Sequence, residues 1–281
     1  MKGLRIASLF AWIVFAGAAF AQPDYDATLY EDWTYEKAAV KQRTEVPYPY
    51  LREADVAYSK RIWRTIDTRQ KQNLIMKWPK SHFGNMVYKA VNDVILTPYR
   101  SDSLMSIYTP EEVLDLGVYR ENQQIINPDN PDDPYDLIDT VISTDFDPLK
   151  INKFYLMEDW IFDKKHSLFF ARIIAIAPVY QPIAGGIELP EQPLFWIYYP
   201  ELRSVMINWE IFNRTNDASR ISYDHWFEKR MFASYIIKQS NEYDYRLKDF
   251  LEFEDNGLGL LLRAEEIQNE LFITEHDLWE Y

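Results

Sequence analysis

"KFYLMEDWIFDKKHSLFFARIIAIAPVY", Lys153 to Tyr180, holds two runs rich in aromatic and β-branched residues, joined by the polar Asp163-Lys164-Lys165-His166. Such runs with a short polar link between them predict neighbouring antiparallel strands in a hairpin. "PLFWIYY" at 193–199 reads as a third strand and "VMINWEIFN" at 205–213 as a fourth. The middle of the chain is therefore expected to build an antiparallel sheet.

Helical spacing flanks it on both sides. In "READVAYSKRIWRTIDTRQKQN", Tyr58, Ile62 and Ile66 recur at i, i+4 and i+8, which predicts an amphipathic helix from about Glu53 to Arg69. Lys60 and Arg64 share its other side with Lys71, a basic face inside an acidic chain. A second helix is expected over Ser81 to Val94. "TPEEVLDLG" predicts a third: Thr109 as N-cap, Pro110 in the first turn, Glu112 completing a capping box and Gly117 just past the end. Beyond the sheet, "SYDHWFEKRMFASYIIKQSN" gathers Trp226, Phe232, Tyr235 and Ile236 at helical spacing behind Ser222, and a last helix is expected over Leu258 to Phe272. The fold class is α+β, with N-terminal helices, a central antiparallel sheet and C-terminal helices.

The start of the chain, "MKGLRIASLFAWIVFAGAAFAQ", combines Lys2 and Arg5 with an apolar run and an A-x-A site. This predicts a secretory signal peptide over 1–21, cut between Ala21 and Gln22. The segment 22–50 carries Tyr25, Tyr30 and Trp33 without a period and reads as an extended aromatic arm, packed on its own domain or laid on a neighbour. A mainly helical region follows over 51–127. The acidic loop 128–136, broken by Pro128, Pro131 and Pro134, separates it from an α+β region over 137–281, and the two regions are compatible with one domain.

Composition narrows the function. With no cysteine, disulfides, thiol chemistry and a lipid-accepting cysteine are all excluded, so an exported soluble protein is expected, without its own lipid anchor. A net charge of −14 argues against nucleic acid. Only 8 glycines are present, and no phosphate-binding loop, nucleophile elbow or zinc motif occurs. Glu275, His276 and Asp277 are consecutive and would diverge on a helix, so they form no triad. The carboxylates of the 129–136 loop lack the glycine turn of an EF-hand. No catalytic, cofactor or metal residue is assigned. An alternative from the residues alone is a periplasmic glycan-binding or glycan-processing protein, with Trp160, Trp196 and Trp209 lining a sugar cleft.

Three separated blocks, "READVAYSKRIWRTIDTRQKQN", "FEKRMFASYIIKQSNEYDYRL" and the closing "EHDLWEY", resemble the GldN (PorN) gliding-motility family of the Bacteroidetes. The resemblance spans about Tyr48 to Tyr281. It implies a non-enzymatic periplasmic subunit of the type IX secretion system, in a ring beneath the outer membrane. The implied partners are a GldK/PorK-type lipoprotein, through which alone the protein meets the membrane, the periplasmic part of a GldM/PorM-type motor protein, and further copies of itself. A basic patch on an acidic protein suits such self-association. Lys60, Arg61, Arg64, Tyr25, Tyr30 and Trp33 are therefore the expected partner-binding residues.

Overall fold

The computed structural model describes residues 43–126, 137–144, 146–184, 187–216, 218–253 and 256–279. The cleavage site at Ala21 and Gln22, the arm residues Tyr25, Tyr30 and Trp33, and the 128–136 loop lie outside the described residues.

In chain order the elements are β1 (Val56–Asp67), α1 (Phe83–Asn92), β2 (Pro98–Tyr99), α2 (Pro110–Asp115), β3 (Tyr119–Ile126), β4 (Leu137–Thr144), β5 (Lys153–Asp163) and β6 (Leu168–Tyr180). There follow β7 (Ile183–Ala184), β8 (Ile187–Glu188), β9 (Gln192–Pro193), β10 (Trp196–Tyr198), α3 (Tyr199–Met206), β11 (Glu210–Ile211), β12 (Ile221–Ser222), α4 (Tyr223–Glu228), β13 (Tyr235–Gln239) and α5 (Gly257–Trp279). The main sheet runs β13-β1-β5-β6-β10-β2, with β9 also on β6, and every pairing is antiparallel. The α+β class holds, and the hairpin forms where the sequence placed it: the Asp163 carboxylate accepts from the Lys165 and His166 backbone amides and closes the turn.

The largest correction is β1. The stretch 56–67 is a central strand between β13 and β5, and not an amphipathic helix. Spacings of 4 and 8 are multiples of 2, so Tyr58, Ile62 and Ile66 also lie on one face of a strand. Apolar pairs at i+3, which only a helix uses, are few: positions 61 and 65, three beyond Tyr58 and Ile62, are Arg and Thr, and only Trp63 and Ile66 have that spacing among the apolar residues 58–66. Val56, Tyr58, Ile62, Trp63, Thr65 and Ile66 are all residues that favour a pleated surface. β3 and β4, which end and begin on either side of residues 127–136, pair with each other, and residues from both sides share the main sheet through β1 and β5.

Two further expectations change. The 205–213 stretch is the end of α3, a turn and the short β11: Pro200 at the first turn and Glu201 begin a helix that consumes Val205 and Met206. The helix after Ser222 is short. Ser222 caps it as expected, accepting from the His225 amide, but α4 stops at Glu228 and residues 235–239 form the edge strand β13. The stop is a Schellman turn, with Arg230 at φ 50° where glycine is usual; Met231 N donates to Trp226 O (3.0 Å) and Arg230 N to Phe227 O (2.9 Å). The helix expected over Ser81 to Val94 forms as α1, and the last helix, expected to end at Phe272, continues to Trp279. The Thr109–Glu112 capping box is present, and Gly117 takes φ 76°, where a Cβ would lie 2.6 Å from the Phe146 ring.

The pleat sends alternate residues to two cores. On one face Ile66, Phe154, Leu156 and Ile176 meet α1, α3 and α4 through Phe83, Tyr199 and Phe227. On the other, Trp63, Tyr155, Met157 and Trp196 pack with Tyr99 and Leu104. A third cluster, on the first face beyond the helices, seats Ala264, Ile267 and Leu271 of α5 on Ile62 and Ile236.

Candidate interaction sites

Along the first face, Ile62, Arg64 and Ile66 of β1 lie opposite Glu158, Leu156 and Phe154 of β5, so Arg64 is the diagonal neighbour of Glu158. A charged pair thus sits at the seam between the main core and the α5 cluster. Arg64 is 4% exposed and Glu158 is fully buried; Arg64 Nε donates to Glu158 Oε1 at 2.5 Å. Arg230 reaches the same carboxylate twice, Nη1 to Oε2 at 2.8 Å and Nη2 to Oε1 at 3.2 Å, and Trp160 Nε1 adds a bond of 2.8 Å. Burial alone would raise the Glu158 carboxyl, but Arg230 and Arg64 outweigh it and hold it below the usual carboxylate range. Burial pushes Arg64 down, and the charge of Arg230 adds to that, because one carboxylate does not balance two guanidiniums. The left-handed turn at Arg230 is what aims its side chain inward; a non-glycine residue there costs about 1–2 kcal/mol of backbone strain.

A second charged cluster has the opposite balance. Arg203 on α3 pairs with Asp224 on α4 at 2.8 Å, both buried, and lies 3.9 Å from Glu228. Tyr48, from the segment ahead of β1, donates its hydroxyl to Glu228 and lays its ring under Arg203. Tyr199 donates to the same carboxylate at 3.3 Å, and Arg172 donates to Pro49 O at 2.7 Å. Burial and the Glu228 contact push the Tyr48 hydroxyl far up, so it stays protonated and a donor. The described end of the arm therefore packs on its own domain.

The expected partner residues separate. Arg64 is buried as above. Arg61 points to the other face of β1 and holds Asp159 in a two-bond pair of 2.7 and 2.9 Å at the surface. Lys60 is half-exposed and makes no ion pair among the described residues. The basic residues do not form one face because the helix that would have aligned them is a strand. Nothing in the sequence marked Arg230, Glu158 or Tyr48; their signal is the cross-strand register and the turn at Arg230.

Away from the packed side of α5, Leu258, Leu261 and Leu262 near its start and Phe272 and Ile273 near its end are all more than half exposed, two apolar patches separated by exposed Glu265, Glu266 and Asn269. Trp160 and Trp196 lie on opposite faces of the sheet, in different clusters, so the three tryptophans line no common sugar cleft. Among the described residues no cluster of three or more His, Asp or Glu could hold a metal ion, and no helix is long and apolar enough to cross a membrane.

No curated protein matches the chain. A family model described as "Gliding motility associated protein GldN" does, over residues 51–280, from the strap that precedes β1 to the end of α5. With most of its length matched, including Arg64, Glu158 and Arg230, Arg203, Asp224 and Glu228, and the C-terminal helix, but not Tyr48, the chain belongs to the GldN family of gliding motility associated proteins.

Proposed function

We propose that this protein is a non-enzymatic structural subunit of the type IX secretion and gliding machinery, placed in the periplasm at the inner face of the outer membrane. It assembles with copies of itself and a GldK/PorK-type lipoprotein into a ring, and contacts the periplasmic part of a GldM/PorM-type motor protein. The reading includes a signal peptide cut at Ala21–Gln22, an arm whose Tyr25, Tyr30 and Trp33 meet a neighbour, and an assembly role for Lys60, Arg61 and the buried Arg64 behind them.

Beside family membership, one observation carries this reading: the outer side of α5. Five large apolar side chains stay in water on a helix that is already seated. A monomer gains nothing from them, whereas a protein partner would. The test is co-purification of the lipoprotein from envelope extracts with a Leu258→Glu, Leu262→Glu double variant. Both residues are more than half exposed, so the melting temperature should hold while the lipoprotein is lost. Full recovery of the lipoprotein with the double variant would defeat the assignment of this surface.

A further inference from the structure

Below α5 a pocket of about 410 Å³ opens on Arg64 and Arg230, walled by Trp160, Phe232, Leu271 and Phe272. We propose that it binds a carboxylate presented by an acidic peptide segment of a partner protein, with an apolar residue beside the acid. The assignment does not depend on family membership.

The charges set the ligand. Two guanidiniums, Arg64 and Arg230, share the single carboxylate of Glu158, and a second carboxylate, Glu275, lines the pocket. Arg64 uses only Nε on Glu158; among the described residues its two terminal nitrogens make no hydrogen bond, although the side chain is 4% exposed. These nitrogens are not fully enclosed but open on the pocket, and a carboxylate offers the planar pair of acceptors they fit. Glu275 also lines the pocket but forms no ion pair with either arginine. With Glu158 and Glu275 both at hand, a monoanion that takes the open arginine nitrogens is favoured over a phosphate dianion, which would face the repulsion of both carboxylates. The remaining walls are aromatic and aliphatic, and Phe272 at the rim is 66% exposed. A free anion would leave them in water, whereas an apolar neighbour of an acidic side chain covers them.

The experiment follows the arginine Nε–H resonances of the purified protein by NMR while capped peptide acetyl-Leu-Glu-Leu-amide is added. The expected result is a saturable shift at Arg64, at least about tenfold weaker with the Gln peptide, as loss of a charged hydrogen-bond partner dictates. Arg230→Gly should abolish it; that variant leaves a balanced Arg64–Glu158 pair and puts glycine at a left-handed position, so it keeps its fold. Phe272→Ala should weaken binding several-fold. No saturable shift in the wild type, an equal response to the Gln peptide, or unchanged binding by Arg230→Gly would overturn the site. Acetate or inorganic phosphate binding as tightly as the peptide would overturn the peptide assignment.

Discussion

The two buried charge clusters are mirror images in their arithmetic. At the sheet seam two arginines, Arg64 and Arg230, share Glu158; between α3 and α4 one arginine, Arg203, serves Asp224 with Glu228 nearby. The second imbalance is closed from within: hydroxyls of Tyr48 and Tyr199 donate to the extra carboxylate. The first is closed only in part: the Arg230 guanidinium lies over the Trp160 and Phe232 rings and that of Arg64 over Trp160, while Glu275, a further carboxylate in the lining, pairs with neither. A neutral donor can quiet an extra anion, and a tyrosine supplies it. The extra cation here meets ring faces, and the terminal nitrogens of Arg64 stay open to the pocket.

The largest break in that comparison should come from Glu158→Leu. It leaves two guanidiniums at the seam with no acceptor, and removing one partner of a buried pair costs about 3–5 kcal/mol. Chemical denaturation should show the midpoint fall accordingly, or no folded protein at all. Asp224→Leu should cost less, about 2–3 kcal/mol, because Glu228 already lies 3.9 Å from Arg203 and can take its place. Equal losses in the two variants would mean that the nearby carboxylate gives no protection.

Acid tests the same carboxylate without a mutation. The folded Glu158 titrates below its ordinary value of 4.5, so the stability it contributes is fully present above that pH and is lost as pH falls through the lower folded value. Thermal melts from pH 6 downward should hold until about pH 4.5 and then drop. Glu158→Gln, with nothing to protonate, should start lower and fall less steeply. Parallel curves would show that other carboxylates govern the acid transition.

Tyr48→Phe sharpens the other half. It removes one donor to Glu228 while keeping the ring under Arg203, so about 1–2 kcal/mol should be lost. Backbone amides of 43–50 should then exchange faster, with those of β1 unchanged. If stability and exchange are both unaffected, residues 43–50 are held by their other contacts, the ring under Arg203, Arg172 on Pro49 O and Arg43 on Arg220 O.

Much of this was legible and the rest had physical reasons to hide. The hairpin of β5 and β6 and the capping box of α2 are local: their turn and cap residues lie within a few positions of the elements they end. β1 hid because a four-residue repeat satisfies both helix and strand, and only the scarcity of apolar i+3 pairs and the β-branched content distinguish them. β13 hid because the helix ahead of it ends on Arg230, a residue that gives no stop signal. Arg64 looked like part of a basic surface; which carboxylate it meets is fixed by the register of β1 on β5, a pairing across 94 residues. The Arg203 cluster draws on Tyr48, 180 residues from Glu228. Charge clusters of this kind are properties of the assembled sheet.

The smallest effect on stability should come from the exposed end of β1. Arg61 pairs with Asp159 at the surface with its side chain 45% exposed, and such pairs contribute about 0–1 kcal/mol. Lys60 has no ion pair to lose among the described residues. A Lys60→Glu, Arg61→Glu double variant should therefore melt within a few degrees of the wild type, whereas adding Arg64→Glu would place a second carboxylate beside buried Glu158 and unfold the seam. The double variant thus isolates the surface charge from the core charge. If Lys60 and Arg61 face acidic groups of a neighbour, repeated in every copy, the loss should appear as weaker self-association that depends on salt, visible by sedimentation at low and physiological ionic strength. Unchanged sedimentation at both would leave these two residues as solvated charges and confine the function of the β1 arginines to Arg64.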